Sequence, residues 1–206
     1  MAVDQLMMEQ VNDRPILRVY HWVEPTVTFG YFLPLSEATD AFPDDELTYV
    51  RRWTGGGVVD HRIDLTYTLA VPRSHELASA RGAESYRVIH QAVANVMNAL
   101  GESVRLTVVD EGDGGAACFT NPVAYDLTNM SGEKVAGAGQ RRSRYGLLHQ
   151  GSVITKITAE AFTQQLVSEL CPGTPHDWDP GADMLEASLE LAQARYATES
   201  WLKKLG

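Results

Sequence analysis

The feature that most limits the fold of this chain is the order of its short strand-like segments, which do not alternate regularly with helices. Alternating or β-rich apolar runs predict strands at 16–22, 26–32, 47–53, from 58, and at 64–71, 104–109, 123–128, 134–143 and 145–155. Helical spacing of apolar residues predicts helices at 1–12, 83–100, 158–170 and 182–205. This order indicates an α+β fold, with a mixed β-sheet core and flanking helices.

Length and composition limit the class of protein. A chain of 206 residues can bury one substantial core, so we predict one domain over 1–206. Its apolar runs are far shorter than the ~20 residues that cross a bilayer, and its first ten residues lack the basic start of a secretory signal. Two cysteines make no disulfide framework, so we expect reduced thiols and a cytoplasmic location with no membrane partner.

Charge is distributed unevenly along the chain. The 17 basic and 27 acidic residues give a net charge of −10, which argues against non-specific binding to nucleic acid. The stretch from Lys134 to Lys156 nevertheless holds five basic residues and no acid. We expect a positive strand there, on which Arg141 and Arg144 guide an acidic protein partner. The alternative is that these arginines are simply solvated.

A cysteine and a lysine in the middle of the chain are candidates for acyl chemistry. Cys118 precedes Lys134 by sixteen residues. A free thiol is only a few per cent thiolate at pH 7, whereas an ammonium close to it favours the thiolate and can donate to an acyl carbonyl oxygen. Spacing does not prove that the two side chains meet. The alternative is that Cys118 is a small buried hydrophobe.

A glycine run, Gly55–Gly57, follows Arg51, Arg52 and Thr54. It is not a P-loop, because no Gly-Lys-Ser/Thr follows it. Three glycines allow backbone amides to approach a ligand closely, and the arginines favour an anionic or carbonyl-bearing ligand. A turn between strands is the alternative. We expect the larger sheet to be mixed and to carry both this run and Lys134 beside one elongated apolar pocket.

Two histidines are further candidates, His61 near the glycine run and His149 on the last predicted strand. Each alone is more often a hydrogen-bonded structural residue than a catalyst. No His, Cys, Asp or Glu group has zinc-ligand spacing, so we predict no metal site. No Gly-x-Ser-x-Gly elbow is present, which argues against a serine hydrolase.

Several motifs resemble a known superfamily, the biotin/lipoate protein ligases. The first part of this resemblance is carried by Arg51-Arg52-Trp53-Thr54-Gly55-Gly56, His61 and Asp64-Leu65-Thr66-Tyr67. The middle of the chain is most similar to the branch of cysteine-dependent octanoyltransferases. Its matching residues are Cys118-Phe119, Pro122, Tyr125-Asp126-Leu127, Lys134-Val135-Ala136-Gly137, Gln140 and Arg142, with Arg195 to Trp201 at the C-terminal end.

The resemblance implies a two-step transfer of an octanoyl or lipoyl group. Cys118 would take the acyl group from the thioester of an acyl carrier protein, and Lys134 would bind the acyl carbonyl. A lysine of a lipoyl domain, or of a glycine-cleavage H-type protein, would then receive it. Because a thioester is already activated, this transfer would require no cofactor. The substrate-binding residues implied are Arg52, Thr54, Gly55, Gly56, Gly57, His61, Gly137, Gln140 and His149.

The chain departs from the branch at three places. Gly57 and Asp60 stand where the branch has an arginine and an apolar residue. His149-Gln150-Gly151 reverses its Gln-His-Gly, which weakens a catalytic role for a histidine there. Relatives also have a strand upstream of the segment that begins at Met1, so we expect either a short form or a missing strand.

Two other functions stay open. An ATP-dependent lipoate–protein ligase would use Lys134 on an acyl-adenylate, with ATP and Mg²⁺. Such ligases commonly need an accessory domain, for which the residues after Thr155 leave room only for two helices. A non-catalytic module that binds lipoyl domains or lipoate would need neither Cys118 nor Lys134. Cys118 is the discriminating feature, because a ligase does not require it.

Overall fold

In the computed structural model, which describes residues 1–107, 124–171 and 173–204, the strands form two β-sheets. The larger sheet has six described strands, each antiparallel to its neighbours. In spatial order they are β1 (Ile16–Tyr20), β5 (Leu65–Pro72), β9 (Gly146–Val153), β8 (Lys134–Ser143), β7 (Leu127–Asn129) and β6 (Val104–Leu106). The smaller sheet has the order β3 (Thr48–Arg51), β2 (Thr26–Phe29) and β4 (Val58–Asp60).

Helices lie before, between and after these strands. They are α1 (Ala2–Gln10), α2 (Leu35–Ala41), α3 (Glu76–Ser79), α4 (Gly82–Ala99), α5 (Ala159–Leu170), α6 (Gly181–Leu191) and α7 (Glu199–Leu202), with a π-helical turn at Ala192–Tyr196. Over the ranges that the structure describes, no helix is both long enough and apolar enough to span a membrane.

The core lies on both faces of the larger sheet, and its central strands β5 and β9 are buried along their whole length. On one face α4 and α5 cover every second residue of β5. The principal members of that cluster are Leu65, Tyr67, Leu69, Val71, Ile89, Val93, Met97, Phe162 and Leu166. On the other face α1 and α6 pack on Ala70 and Leu148. Successive strand residues point to opposite faces, so covering both faces buries every residue.

The predicted α+β class is confirmed, but the mixed pairing lies in the smaller sheet. There β2 is parallel to β3 and antiparallel to β4. The parallel pair exists because α2 lies in the connection that returns the chain to the start of β3. The glycine run follows β3 in this smaller sheet, whereas Lys134 begins β8 in the antiparallel one. The expectation that one mixed sheet carries both is therefore wrong.

Helix α2 has no counterpart among the predicted elements. It has seven residues, of which only Ala38 is buried, and no side chain caps its first turn. So short a segment shows no repeated apolar periodicity. The predicted strands 104–109 and 123–128 are only partly described, as β6 and β7, because residues 108–123 lie outside the described residues.

The prediction of one helix over 182–205 is wrong. α6 ends at Leu191, the π-helical turn follows, and α7 begins after Thr198. The hydroxyl of Thr198 accepts the backbone N–H of Trp201. A threonine that caps the first turn in this way starts a new helix instead of continuing the old one.

Apolar spacing in this last segment predicts one buried face made of Leu185, Leu189, Ala192 and Tyr196, and this prediction is partly wrong. Leu185 and Leu189 are 48% and 65% exposed, while Met184 and Ser188 are buried. The apolar stripe was therefore placed one residue too far along α6. Tyr196 is buried as predicted, at the end of the π-helical turn.

Candidate functional site

A narrow cleft, partly open to solvent, lies between the two sheets. The smaller sheet and the segments that follow β3 and β4 contribute Thr28, Arg52 and His61 to its wall. The larger sheet contributes residues 137–139 of β8 and 150–152 of β9. Several of the residues singled out from the sequence therefore meet here, although they come from distant parts of the chain.

Lys134 lies beside this cleft. Its side chain is buried, and its Nζ is 2.5 Å from Oδ2 of the buried Asp126. A Cβ added to Gly137 would lie 2.7 Å from Cε and 2.9 Å from Nζ of Lys134, so the lysine tip packs directly on the backbone of the cleft wall. The missing side chain of Gly137 is what leaves room for the ammonium.

Asp126 is held from its other side by Tyr86 of α4. The Tyr86 hydroxyl donates to Oδ1 of Asp126 and accepts the backbone N–H of Ala138 at 2.9 Å. The two carboxylate oxygens therefore have different described partners, the phenol and the ammonium. In the sequence, Asp126 stands out only as part of a motif, and Tyr86 lies within the predicted helix 83–100 with nothing to mark it as a site residue.

Arg52 organises the loop that contains the glycine run. Its guanidinium donates to Thr28 Oγ1 at 2.7 Å and to the carbonyls of Gly57 at 2.7 Å and Gly55 at 3.2 Å. Thr54 donates to the side chain of Gln150 at 2.8 Å. The loop is thus tied to both sheets at the edge of the cleft.

The glycine run is pressed against backbone from two directions. A Cβ on Gly30 would overlap the carbonyl oxygen of Gly56, and a Cβ on Gly139 would overlap that of Gly55. Gly56 also has φ +97°, which favours glycine. Gly55 itself would meet nothing within 4 Å. The close approach to the larger sheet is at Gly139 of β8, whereas the contact with Gly30 is to the segment after β2 of the smaller sheet.

His61 belongs to a buried polar group in the cleft wall. Its Nδ1 is 2.7 Å from Asp64 Oδ2, and its Nε2 is 2.7 Å from Thr28 Oγ1. Thr28 Oγ1 also accepts from Arg52. Trp22 stacks on the ring with centroids 4.8 Å apart. His61 is therefore held at both ring nitrogens and by stacking.

Gln140 and His149 form a separate chain on the α4 side of β8 and β9. Gln140 Oε1 accepts from Arg142 and Ser85, both at 3.1 Å, so its amide must donate to His149 Nδ1 at 3.0 Å. His149 Nε2–H then donates to Tyr67 at 3.0 Å. Burial, with His90 and Arg142 nearby, lowers the pKa of His149 well below its usual value. It is neutral at pH 7.

Strand alternation places the neighbours His149 and Gln150 on opposite faces of β9. His149 points toward α4, whereas Gln150 lines the cleft and donates to Asp4 at 2.7 Å. Gln140 and His149 are thus not among the residues of the cleft wall. Cys118 lies outside the described residues.

The expected positive strand is only partly a free surface. Arg141 packs over Trp53 and Tyr31, at 4.4 and 5.2 Å from the ring centroids, and donates to the Trp53 carbonyl. Burial lowers the pKa of its guanidinium. Arg144 is exposed, at the turn between β8 and β9. Arg141 therefore contributes packing as well as charge.

The sequence of the chain matches a known protein family. Residues 1–171 match the family model of the lipoyl protein ligase A/B catalytic domain. This chain belongs to that family. The superfamily indicated by the sequence motifs is thereby confirmed.

Curated relatives in this family include octanoyltransferases. The octanoyltransferase LipM of Kyrpidia tusciae is 32% identical over 174 residues, which are 79% of this chain and 63% of the relative. That of Carboxydothermus hydrogenoformans is 34% identical over 172 residues, which are 81% and 64% of the two chains. The chain therefore spans less than two thirds of the length of these relatives.

A solved structure shows the same fold. The bipartite lipoate protein ligase of Thermoplasma acidophilum, studied with its E2 lipoyl domain, superimposes with a TM-score of 0.74 at 20% identity. The match covers 100% of this chain and 91% of that one. In residues 1–107, 124–171 and 173–204, no group of three His, Cys, Asp or Glu side chains could hold a metal ion.

The segment that follows the family domain is connected to a family motif. Arg51 is fully buried and donates to the carbonyls of Trp201 at 2.9 Å, Leu202 at 2.8 Å and Tyr31 at 3.0 Å, and to that of Leu33. The Trp201 indole donates back to the Arg51 carbonyl at 3.1 Å. The first arginine of the glycine-run motif therefore holds α7, while the second organises the cleft.

Proposed function

We propose that this protein is an acyltransferase that moves an octanoyl or lipoyl group from a carrier-protein thioester to a lysine of a lipoyl domain. The observation that carries the proposal is the buried ammonium of Lys134, paired with Asp126 and packed on Gly137 in the cleft wall. A buried cation fixed at a cleft is suited to bind an oxygen on which negative charge develops. The curated octanoyltransferase relatives support the transfer of an octanoyl group.

The proposed reaction has two steps through a thioester on Cys118. The Cys118 thiolate attacks the donor thioester, a new C–S bond forms, and the carrier thiolate leaves and takes a proton. The amine of the acceptor lysine then attacks this acyl-enzyme. A C–N bond forms, the Cys118 thiolate leaves, and the amine proton passes to solvent. In both steps the Lys134 ammonium donates to the acyl oxygen, and no metal or nucleotide takes part.

The proposed partners follow from that chemistry. The donor is an acyl carrier protein, and the acceptor is a lipoyl domain or a glycine-cleavage H-type protein. The lipoyl domain studied with the T. acidophilum ligase supports an acceptor of this class. The acyl chain would enter the cleft past Arg52, Gly137 and His61.

A lipoate–protein ligase is the second candidate, because the fold also matches a solved enzyme of that class. It would use Lys134 on an acyl-adenylate made from ATP with Mg²⁺. The two functions differ in their need for Cys118 and for ATP.

Intact-mass measurement distinguishes the two candidates. Incubated with octanoyl carrier protein and no acceptor, the enzyme should gain one octanoyl group that hydroxylamine removes. Cys118→Ala should gain none, and Cys171→Ala should behave as wild type. Full activity of Cys118→Ala together with a requirement for ATP would establish the ligase instead.

A further inference from the structure

We propose that Tyr86 and His90 of α4 are positioning residues for Lys134, acting together through the Tyr125–Asp126 turn. The inference rests on the proposed function for its kinetic test, but the geometry behind it does not. Tyr86 and His90 are one helical turn apart, so both side chains leave α4 on the same side. Their rings lie 4.1 Å apart between centroids.

The first contact is with the backbone of Tyr125. This residue has φ +72°, a left-handed conformation that is strained for a residue other than glycine. His90 Nδ1 lies 2.6 Å from the Tyr125 carbonyl, which can only accept, so Nδ1 carries the ring proton. The Tyr125 N–H donates to Thr107 at 2.8 Å. The strained residue is therefore held from both ends.

The second contact is with the side chain of the next residue. The Tyr86 hydroxyl binds Oδ1 of Asp126, leaving Oδ2 for the Lys134 ammonium at 2.5 Å. The same hydroxyl accepts the N–H of Ala138, next to Gly137 on which the ammonium packs. One phenol oxygen thus connects the carboxylate that holds the lysine tip to the strand against which that tip rests.

The chemistry of His90 supports a specific role. Its pKa is lowered to about 4, mainly by burial, so it is neutral at pH 7. Its Nε2 is buried and has no hydrogen-bond partner in the described part of the chain. An apolar residue at this position could not make the contact that Nδ1 makes with the Tyr125 carbonyl.

Single-turnover acylation of Cys118 by octanoyl carrier protein tests the proposal. Tyr86→Phe removes one oxygen and keeps the ring. It should lower the maximal acylation rate about tenfold or more, and leave the donor concentration at half-maximal rate within about twofold, because misplacing a catalytic group costs rate rather than binding. Tyr49→Phe is the matched control and should leave the rate unchanged, since among the described residues that hydroxyl binds backbone atoms of Phe42 and Asp44, in the connection between α2 and β3.

His90 allows a rescue test. His90→Phe should slow acylation by a similar factor, whereas His90→Asn can place an amide N–H near Nδ1 and should recover most of the rate. Wild-type rates in both Tyr86→Phe and His90→Phe would overturn the proposal. So would equal losses in the Phe and Asn variants of His90.

A measurement independent of activity separates this proposal from the proposed function. Acetic anhydride labelling with peptide mass spectrometry reports how tightly the Lys134 amine is held. The labelling rate at Lys134 should rise at least threefold in Tyr86→Phe, with Lys156 as an internal control. An unchanged Lys134 rate would overturn the positioning role, even in an enzyme that forms no acyl-Cys118.

Discussion

Gly137 is the residue whose smallest change should affect the site most directly. A Cβ there would lie 2.7 Å from Cε and 2.9 Å from Nζ of Lys134, and 3.3 Å from Asp126 Oδ1. The side chain that must move is the flexible lysine tip, so Gly137→Ala should displace the ammonium without breaking the strand. We expect acylation to slow about tenfold or more with a nearly unchanged melting temperature, measured by mass spectrometry and calorimetry. An unaltered rate would show that the ammonium position is unimportant.

His90 should give the stability of the protein a dependence on acidic pH. Its pKa is about 4 in the folded state and about 6.5 in an unfolded chain, so the unfolded state binds the proton more readily. Stability from neutral His90 is complete above pH 6.5 and is lost as pH falls toward 4, by up to about 1.4 kcal/mol per pH unit. His149, whose pKa is also lowered, acts in the same direction.

Urea unfolding between pH 7 and pH 4.5 measures this effect. His90→Asn should flatten the decline in the free energy of unfolding relative to wild type, because asparagine does not titrate. An exposed histidine provides the control, and His176→Asn should leave the slope as it is. Parallel curves for wild type and His90→Asn would contradict the assignment.

The sequence predicts some residues of the site better than others. Lys134, Arg52, His61 and Gly137 were indicated by motifs, and all four lie at the cleft or against its wall. The Lys134–Asp126 pair could not be read from spacing, because it depends on a left-handed residue at Tyr125 that is not glycine. Whether the cleft binds the acyl chain stays a prediction.

At the scale of elements, the contact between the glycine run and β8 determines how closely the two sheets approach. A Cβ on Gly139 would overlap the Gly55 carbonyl and lie 3.0 Å from Thr54 Oγ1. The obstacle is backbone, which cannot rotate away. Gly139→Ala should therefore reduce the free energy of unfolding by about 1–3 kcal/mol in chemical denaturation.

Gly55→Ala is the matched control for that measurement. Its Cβ would meet nothing within 4 Å, so stability should change little. If Gly139→Ala is as stable as Gly55→Ala, the sheets are not limited by this contact.

The strands β5, β8 and β9 lie where the sequence pattern predicted them. Their long β-type runs are clear signals because helices cover the larger sheet, so apolar residues recur along these strands. Elements defined by capping or by a short crossover were not predicted. α2 has one buried residue, and the break before α7 depends on the Thr198 hydroxyl. The spacing of apolar residues in α6 predicted the wrong buried face, because Leu185 and Leu189 are apolar yet exposed.

At the scale of the whole molecule, Arg51 connects the smaller sheet to the segment beyond the family domain. Its guanidinium donates to four backbone carbonyls, two of them in α7. Arg51→Met would leave these carbonyls without their partner and should destabilise the protein by about 3 kcal/mol or more. Thermal unfolding measures the loss, and a single transition would agree with the predicted single domain.

Arg87→Met is the comparison, because Arg87 is an exposed arginine that pairs only with Glu84 among the described residues. The melting temperature of Arg87→Met should equal that of the wild-type protein. Equal melting temperatures for the two variants would mean that α7 is not held by Arg51.

The hydrogen bonds of the Arg51 guanidinium also constrain the order of folding steps during synthesis. Two of its four partners are 150 and 151 positions farther along the chain, and its side chain is fully buried in the finished fold. On the ribosome, the strand that delivers Arg51 emerges long before Trp201 and Leu202. We expect the Arg51 side chain to reach its final packing only after those two carbonyls have left the exit tunnel. Until then, of its four described carbonyl partners, only those of Tyr31 and Leu33 can bind it.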